Sequence, residues 1–247
     1  MYWFGLYHWR RRFRAVGEGL VVALAGVALA RRRSDRTSRA LAAAAVALGG
    51  ARAARTLSTL TSPPPWRLER YKYDALAREL PLADAGRVLD VGCGTGRSLV
   101  GLAPRLSGST TVVGVDVFDD RVILGNGPRL ARRNARTAGI AVEPVRGDAG
   151  SLPFASGSFD VVTACRVLHD LPADRHGDAL GELRRVCRAD GAVGILELPI
   201  VPERVDASPE RYWRTRVGDA GLSVRTAARV PRRDGDEPYV VLVAAPT

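Results

Sequence analysis

An α/β fold, doubly wound around a mostly parallel sheet, is predicted for the chain beyond residue 63 by three observations. Short apolar runs alternate with helical stretches, the first run ends in a glycine-rich turn, and the last two runs follow one another with no helix between them. Strands that are apolar almost throughout are buried on both faces, which is the condition of a parallel sheet covered by helices. Two strands joined without a helix form an antiparallel hairpin, so the last strand is expected to run against the others.

Taken in order, Trp66 to Leu80 reads as a helix, with Pro81 and Gly86 marking the entry to the first strand. Strands are expected at Arg87 to Val91, Thr111 to Asp116, Ala141 to Arg146, Asp160 to Ala164 and Ala192 to Leu198. Helices are expected after Gly96, around Arg129 to Ala138 and around Asp174 to Arg188, with Pro104 ending the first of them after little more than two turns. Pro144 lacks the amide that an inner strand needs, so the third strand belongs at an edge, as strand three is in the order 3-2-1-4-5. Ser208 and Pro209 are an N-cap and N1 pair for a helix ending near Gly221. Leu222 to Val230 and Tyr239 to Ala245 are the closing hairpin, joined through the turn-rich Pro231 to Pro238.

Composition bounds the rest. The 247 residues suffice for one enzyme-sized domain and an appendage, and 46% apolar with 26% charged residues excludes collagen-like, wholly disordered and fully membrane-embedded chains. The formal charge of +11 is concentrated in residues 1–62, where eleven arginines face only Glu18 and Asp35. The remainder is nearly balanced and carries no general electrostatic footprint for nucleic acid. Cys93, Cys165 and Cys187 have no C-x-x-C spacing, so neither a disulfide framework nor a metal site is expected, and a reducing cytosol suits them.

Two domains are therefore expected: a basic, Ala-rich helical segment at 1–62 and an α/β domain at 63–247. The first contains the apolar runs Gly19 to Ala30 and Ala40 to Ala51, with five arginines between them. Each run is shorter than the roughly 20 residues of a spanning helix. A two-span hairpin would also leave the five loop arginines outside the cell, against the positive-inside rule. The preferred reading is membrane association through residues 13–54, with arginines meeting anionic headgroups at the inner face of the cell membrane. The alternatives are a helical hairpin packed on the domain or a partner subunit, and a cleaved signal ending near Ala28-Leu29-Ala30.

The chemistry sits at Val88-Leu89-Asp90-Val91-Gly92-Cys93-Gly94-Thr95-Gly96, where an apolar strand ends in a turn that lets backbone approach a ligand. Twenty residues beyond Gly96 the next strand ends at Asp116, placed to accept both hydroxyls of a ribose. A third carboxylate, Asp148, follows the strand after that. Three acidic residues at consecutive strand ends do not suit a pyrophosphate. They suit a ligand with a cationic amine, a ribose and an adenine. Arg97 also stands where the dinucleotide fingerprint has glycine, which weakens a nicotinamide-dependent oxidoreductase reading.

With VVGVD at 112–116, VRGDA at 145–149, SFDVVTACRVLHDL at 158–171 and LRRVCRADGAVGILEL at 183–198, the chain resembles a class I S-adenosylmethionine-dependent methyltransferase of the small-molecule, quinone-biosynthesis-like kind. The resemblance runs from near Tyr71 to the C-terminus. It implies a Rossmann-like, seven-stranded sheet with a reversed last strand, S-adenosylmethionine as cosubstrate, and a small, lipophilic acceptor. It further implies that Asp90, Gly92, Cys93, Gly94 and Gly96 hold the methionine part, Asp90 through water. Asp116 would take the ribose, Gly147, Asp148 and Ala149 would flank the adenine, and Cys165 would offer a main-chain contact. No Asn/Asp-Pro-Pro-Tyr/Phe run follows the fourth strand, so nucleobase or glutamine amines are not supported as acceptors. The segment Val117 to Pro128 is longer than the family's direct entry into the next helix.

Methyl transfer is dominated by positioning, so a base is needed only for a weakly acidic nucleophile. His169, beside Asp170, is the candidate for that base, against the plainer role of packing or capping the next helix. His8 and His176 have weaker claims. Arg166 is set to meet either an anionic substrate or solvent, and Cys93 is read as a small side chain beneath the ligand. A non-catalytic subunit that keeps the fold and docks a membrane or partner is the second functional reading.

Overall fold

A computed structural model describes residues 1–60, 64–203, 205–233 and 235–247. Pro63 and the domain boundary expected at 62–63 lie outside the described residues, as does Asp234 within the expected final turn. In chain order the elements are β1 (Leu6–Tyr7), α1 (Trp9–Arg32), α2 (Arg36–Leu60), α3 (Arg70–Ala77), β2 (Arg87–Val91), α4 (Arg97–Leu102), β3 (Thr111–Asp116) and β4 (Ile123–Leu124). They continue with α5 (Pro128–Thr137), β5 (Val142–Arg146), β6 (Phe159–Cys165), α6 (His176–Val186), β7 (Cys187–Glu197), α7 (Pro209–Asp219), β8 (Leu222–Val230) and β9 (Tyr239–Pro246). The chain divides into two compact units, one of Met1–Tyr2, Leu68–Phe118 and Gly127–Thr247, the other of Trp3–Arg67 and Asp119–Asn126.

The larger unit is built on a seven-stranded sheet in the order β5-β3-β2-β6-β7-β9-β8. Five strands are parallel, while β9 runs antiparallel between β7 and β8. This is the doubly wound order expected from sequence, with the closing hairpin inserted so that the last strand lies inside the penultimate one. Pro144 lies in β5 at the sheet edge, where its missing amide costs no ladder bond. Pro104 ends α4 at Leu102 and turns the chain through a short 3-10 turn at Ala103–Arg105. Ser208 caps α7 by accepting a bond from the Arg211 amide at 3.3 Å, and Pro209 occupies its first position. The helix expected over Trp66 to Leu80 is confined to Arg70–Ala77.

Alternation along the strands sends side chains into two apolar layers. In β9, Val240, Leu242 and Ala244 join the layer with α6 and α7, and Tyr239, Val241 and Val243 join the layer with α3. Both faces of these strands are covered by apolar side chains, which is why they read as continuous apolar runs. Trp213 of α7 is fully buried, its ring 4.8 Å from His176 and 5.1 Å from Tyr212. His176 is spoken for in that cluster, with Nδ1 2.8 Å from the Tyr212 hydroxyl and Nε2 3.1 Å from the Leu171 carbonyl.

The smaller unit is a helical hairpin. Its helices are longer than the two apolar runs alone, because the flanking arginines and alanines are themselves good helix formers and carry α1 to Arg32. The two helices are 24 and 25 residues long. The long segment after β3 joins this unit: β4 pairs antiparallel with β1, Leu6 opposite Leu124 and Tyr7 opposite Ile123. The His8 amide donates to the Val122 carbonyl at 2.6 Å and the Trp9 indole donates to the Asp120 carbonyl at 2.7 Å. His8 itself has a left-handed backbone, φ 52°, at the turn from β1 into α1.

Removal of the α7 anchor tests the packing of the larger unit. Trp213→Ala is expected to destabilise it by about 3–5 kcal/mol, read as a lowered midpoint in denaturant titration of the full chain. A loss under 1 kcal/mol would show that this ring is not a keystone of the layer.

Candidate functional site

The parallel strands end together on one edge of the sheet, and the glycine turn Gly92–Gly96 lies there between β2 and α4. Gly92, Gly94 and Gly96 all have positive φ, at 71°, 50° and 83°. A side chain at Gly92 would also collide with Val167, so the loop after β6 closes directly on the turn. The Gly92 and Cys93 amides donate to the Val115 carbonyl at 2.8 and 3.1 Å, fastening the turn to the end of β3.

Asp116 ends β3 and faces this turn. Its Oδ2 accepts from the Gly94 amide at 2.9 Å and its Oδ1 from the Phe118 amide at 2.6 Å. Asp90, one strand over, is fully buried, and each oxygen has its own donor: Ser98 Oγ on Oδ2 at 2.5 Å and Thr163 Oγ1 on Oδ1 at 2.8 Å. Burial pushes its carboxyl up to about 7, against the pull of those two hydroxyls, with Asp116 adding to the rise. The Asp90 carboxyl is therefore poised to ionise when a cation comes near.

Gly147 and Asp148 follow β5, with the Gly147 amide on the Asp116 carbonyl at 3.1 Å. Asp148 Oδ1 accepts from the Gly150 amide at 2.8 Å and meets Arg175 Nη2 at 3.3 Å, and Ala149 packs against the core. Cys93 is buried with its sulfur against Gly114, where a Cβ would lie 2.8 Å from Sγ. Burial holds the Cys93 and Cys165 thiols well above the ordinary thiol range, which leaves both as inert fillers beneath the site.

His169 lies in the 3-10 turn Leu168–Asp170, just past β6. It does not cap the next helix: its Nδ1 is 2.5 Å from Glu197 Oε2, while Nε2 is 3.5 Å from Asp170. Glu197 ends β7, is fully buried, and accepts from the amides of Val167 at 3.0 Å, Leu168 at 2.8 Å and Leu198 at 3.2 Å. Burial lowers the imidazole, yet the bond to Glu197 and the charges of Glu197 and Asp170 outweigh it and hold His169 above its ordinary value. Arg166 precedes this turn in a left-handed conformation, φ 60°, with its amide on the Leu196 carbonyl at 2.6 Å.

Several participants were not anticipated from sequence. Ser98 and Thr163 hold Asp90, Arg175 holds Asp148, and Glu197 holds His169. Only Glu197 left a signal, as an acidic residue closing an apolar strand in the manner of Asp116. Lys72 of α3 is a fifth: it is buried, with Nζ 2.8 Å from Glu69 and 2.9 Å from the Tyr239 hydroxyl. Burial, and then the Arg166 charge, bring its amine down to about 8.

The sheet order, the glycine turn and the three strand-end carboxylates define a Rossmann-like S-adenosylmethionine-binding fold. A family model described as a methyltransferase domain matches residues 88–191, the stretch that runs from β2 and the glycine turn through β6 and α6 into β7. The chain is 34% identical over 120 residues to the ubiquinone/menaquinone biosynthesis C-methyltransferase of Geotalea uraniireducens, covering 49% of this chain and 48% of that protein. It is 37% identical over 155 residues to the nocamycin O-methyltransferase of Saccharothrix syringae, covering 59% and 49%. The chain thus spans about half the length of these curated relatives. In fold it resembles the Burkholderia thailandensis 1,6-didemethyltoxoflavin-N1-methyltransferase bound to its substrate and S-adenosylhomocysteine, with a TM-score of 0.57, 22% identity, and coverage of 72% and 80%.

The residues present fit this cosubstrate. Positive-φ glycines leave room for a backbone-hugging ligand, Asp116 offers acceptors for ribose hydroxyls, and the buried Asp90 carboxyl, held up at about 7, would gain from a cation nearby. Asp116→Ala in the full chain is expected to weaken S-adenosylhomocysteine binding by about 10–100-fold, the worth of a charge-assisted hydrogen bond. Calorimetric titration measures it, and unchanged affinity would remove Asp116 from the ribose.

Proposed function

We propose that the chain transfers the methyl group of S-adenosylmethionine to a small, lipophilic acceptor by in-line displacement. The observation that carries this reading is the Asp116 carboxylate set beside the Gly92–Gly96 turn at the common end of the parallel strands. The sulfonium supplies an activated methyl group when the cosubstrate is bound. Asp90, through water, and Gly92, Cys93, Gly94 and Gly96 hold its methionine part. Asp116 orients the ribose, Gly147, Asp148 and Ala149 flank the adenine, and the Cys165 main chain faces the acceptor side. Such positioning supplies most of the acceleration in a displacement of this kind.

His169 acts as the general base for an acceptor whose nucleophile must lose a proton, taking it on Nε2 while Glu197 orients Nδ1 and steadies the imidazolium. The activities for which the relatives are named, C-methylation for quinone biosynthesis, O-methylation of nocamycin and N1-methylation of didemethyltoxoflavin, support a small acceptor and leave the receiving atom open. Residues 63–247 are read as the catalytic domain. Residues 1–62 are read as an appendage whose stretch 13–54 associates with the inner face of the cell membrane, keeping the domain in the cytoplasm near lipophilic acceptors.

Transfer of radiolabel from S-adenosyl[methyl-³H]methionine to a panel of quinols, phenols and polar controls tests the reading. Label in the lipophilic members supports it. Cosubstrate binding without transfer to any acceptor favours the non-catalytic docking subunit instead.

The base has its own signature in pH. Because the neutral imidazole is the active form and its pKa is raised, the acid limb of kcat is expected above pH 6.5, with the rate climbing as pH rises through it. His169→Ala should lower kcat by roughly 100-fold or more with little change in KM for the cosubstrate. Glu197→Gln, which removes the charge that raises the imidazole, should move the acid limb to lower pH. An unshifted limb in that variant would free Glu197 from the positioning role.

A further inference from the structure

We propose that the α1–α2 hairpin is inserted into the hydrocarbon of an anionic phospholipid bilayer, both helices crossing it. The proposal rests on the membrane reading above and sharpens it from association to insertion. Its first support is an inverted distribution of size. The helices meet through glycine and alanine: a Cβ added at Gly19 would lie 2.7 Å from the Gly49 carbonyl, and one at Gly26 would lie 2.7 Å from the Ala42 carbonyl. The large side chains point away from that seam, with Leu20, Val21, Leu24, Leu41 and Leu48 all more than half exposed. In water a hairpin is held by burying its leucines and valines. In lipid the large apolar side chains gain nothing by hiding, and close contact of small residues is what joins the helices.

The second support separates insertion from lying flat. Residues 19–30 and 40–51 contain no charged or hydrogen-bonding side chain, so both helices are apolar on every side over these stretches. A helix in the headgroup plane needs a polar face to turn to water. One that is apolar all round requires an apolar medium all round, and α1 is the helix among the described residues long and apolar enough to cross a membrane.

Charge marks the two ends. Glu18 and Arg52, one on each helix, neutralise each other at 2.7 Å. Arg14 and Arg31 bracket sixteen residues of α1, about 24 Å at ~1.5 Å per residue, and Arg39 and Arg52 bracket twelve of α2, about 18 Å. Arginine side chains reaching outward close the gap to a core of about 30 Å. Arg10, Arg11, Arg12, Arg14, Arg52 and Arg55 lie toward the open end, against five arginines at the tip. With the two ends carrying nearly equal numbers of arginine, the arginines at the tip do not oppose an open end on the cytosolic side. Arginines at both ends also match the anionic headgroups they would meet on either surface.

The test floats the full chain, reconstituted by detergent removal, with vesicles of phosphatidylcholine and phosphatidylglycerol, then washes them with 1 M salt and with alkaline carbonate. Insertion predicts that the protein stays with the vesicles through both washes. It also predicts that Leu24→Asp/Leu48→Asp, at exposed positions that leave the hairpin seam intact, cuts retention at least tenfold with the circular dichroism of the domain unchanged. Flotation lost in either wash would overturn insertion while leaving surface association standing. No flotation of a folded chain would overturn both. A lipid-free dimer that the double variant dissociates, with no retention on vesicles, would assign the apolar face to a second copy of the chain and sink the proposal.

Discussion

A parallel sheet can be closed only by crossovers, and every crossover returns the chain to start the next strand in the same direction. The carboxyl ends of β2, β3, β5, β6 and β7 are thereby forced onto one edge, and everything proposed for the larger unit depends on that convergence. Asp90, Asp116, Asp148, His169 and Glu197 come from five different stretches of chain and share one side of the sheet only because their strands end together. The carbonyl of Val115 and the carboxylate of Asp116 then fix the glycine turn to the neighbouring strand, so the ligand cradle is part of the sheet's own hydrogen bonding and not a loop laid over it.

The central strands were legible because burial on both faces leaves continuous apolar runs, a pattern that survives without knowledge of any neighbour. Pro144 carried topological information for the same reason: an amide that cannot donate belongs where none is required. The parts that escaped reading depend on partners distant in sequence. The two-residue strands β1 and β4 exist only because Leu6–Tyr7 and Ile123–Leu124 pair with each other across more than a hundred residues, and neither has a pattern of its own. The helices of the hairpin extend beyond their apolar runs because arginine and alanine sustain helix by backbone propensity regardless of hydropathy.

At the site, the residues expected to touch a ligand were readable from motif and strand-end position. Those that hold them were not. Ser98, Thr163 and Arg175 are common residue types in unremarkable settings, and their roles come from where α4, β6 and the turn before α6 deliver them. His169 shows the difference in kind. From sequence its neighbour is Asp170, which in the structure is the more distant and more exposed of its two acidic partners. The short bond goes to Glu197, which β7 brings alongside from 28 residues away. Adjacency in the chain pointed to Asp170, whereas the short contact runs to Glu197.

The pairing of β1 with β4 makes one structural body out of two stretches that a linear reading assigns to different domains. Asp119–Asn126 begins two residues after Val117, inside the methyltransferase domain's own sequence, yet its backbone partners are His8, Trp9 and the strand before them. The smaller unit therefore draws on two stretches of the chain, 3–67 and 119–126. A chain begun after the proline run would keep Ile123 and Leu124 while losing the strand that pairs with them, leaving an apolar edge ready to template a foreign strand. The N-terminal strand and the loop after β3 are in this respect one structural element, and neither has its backbone partner without the other.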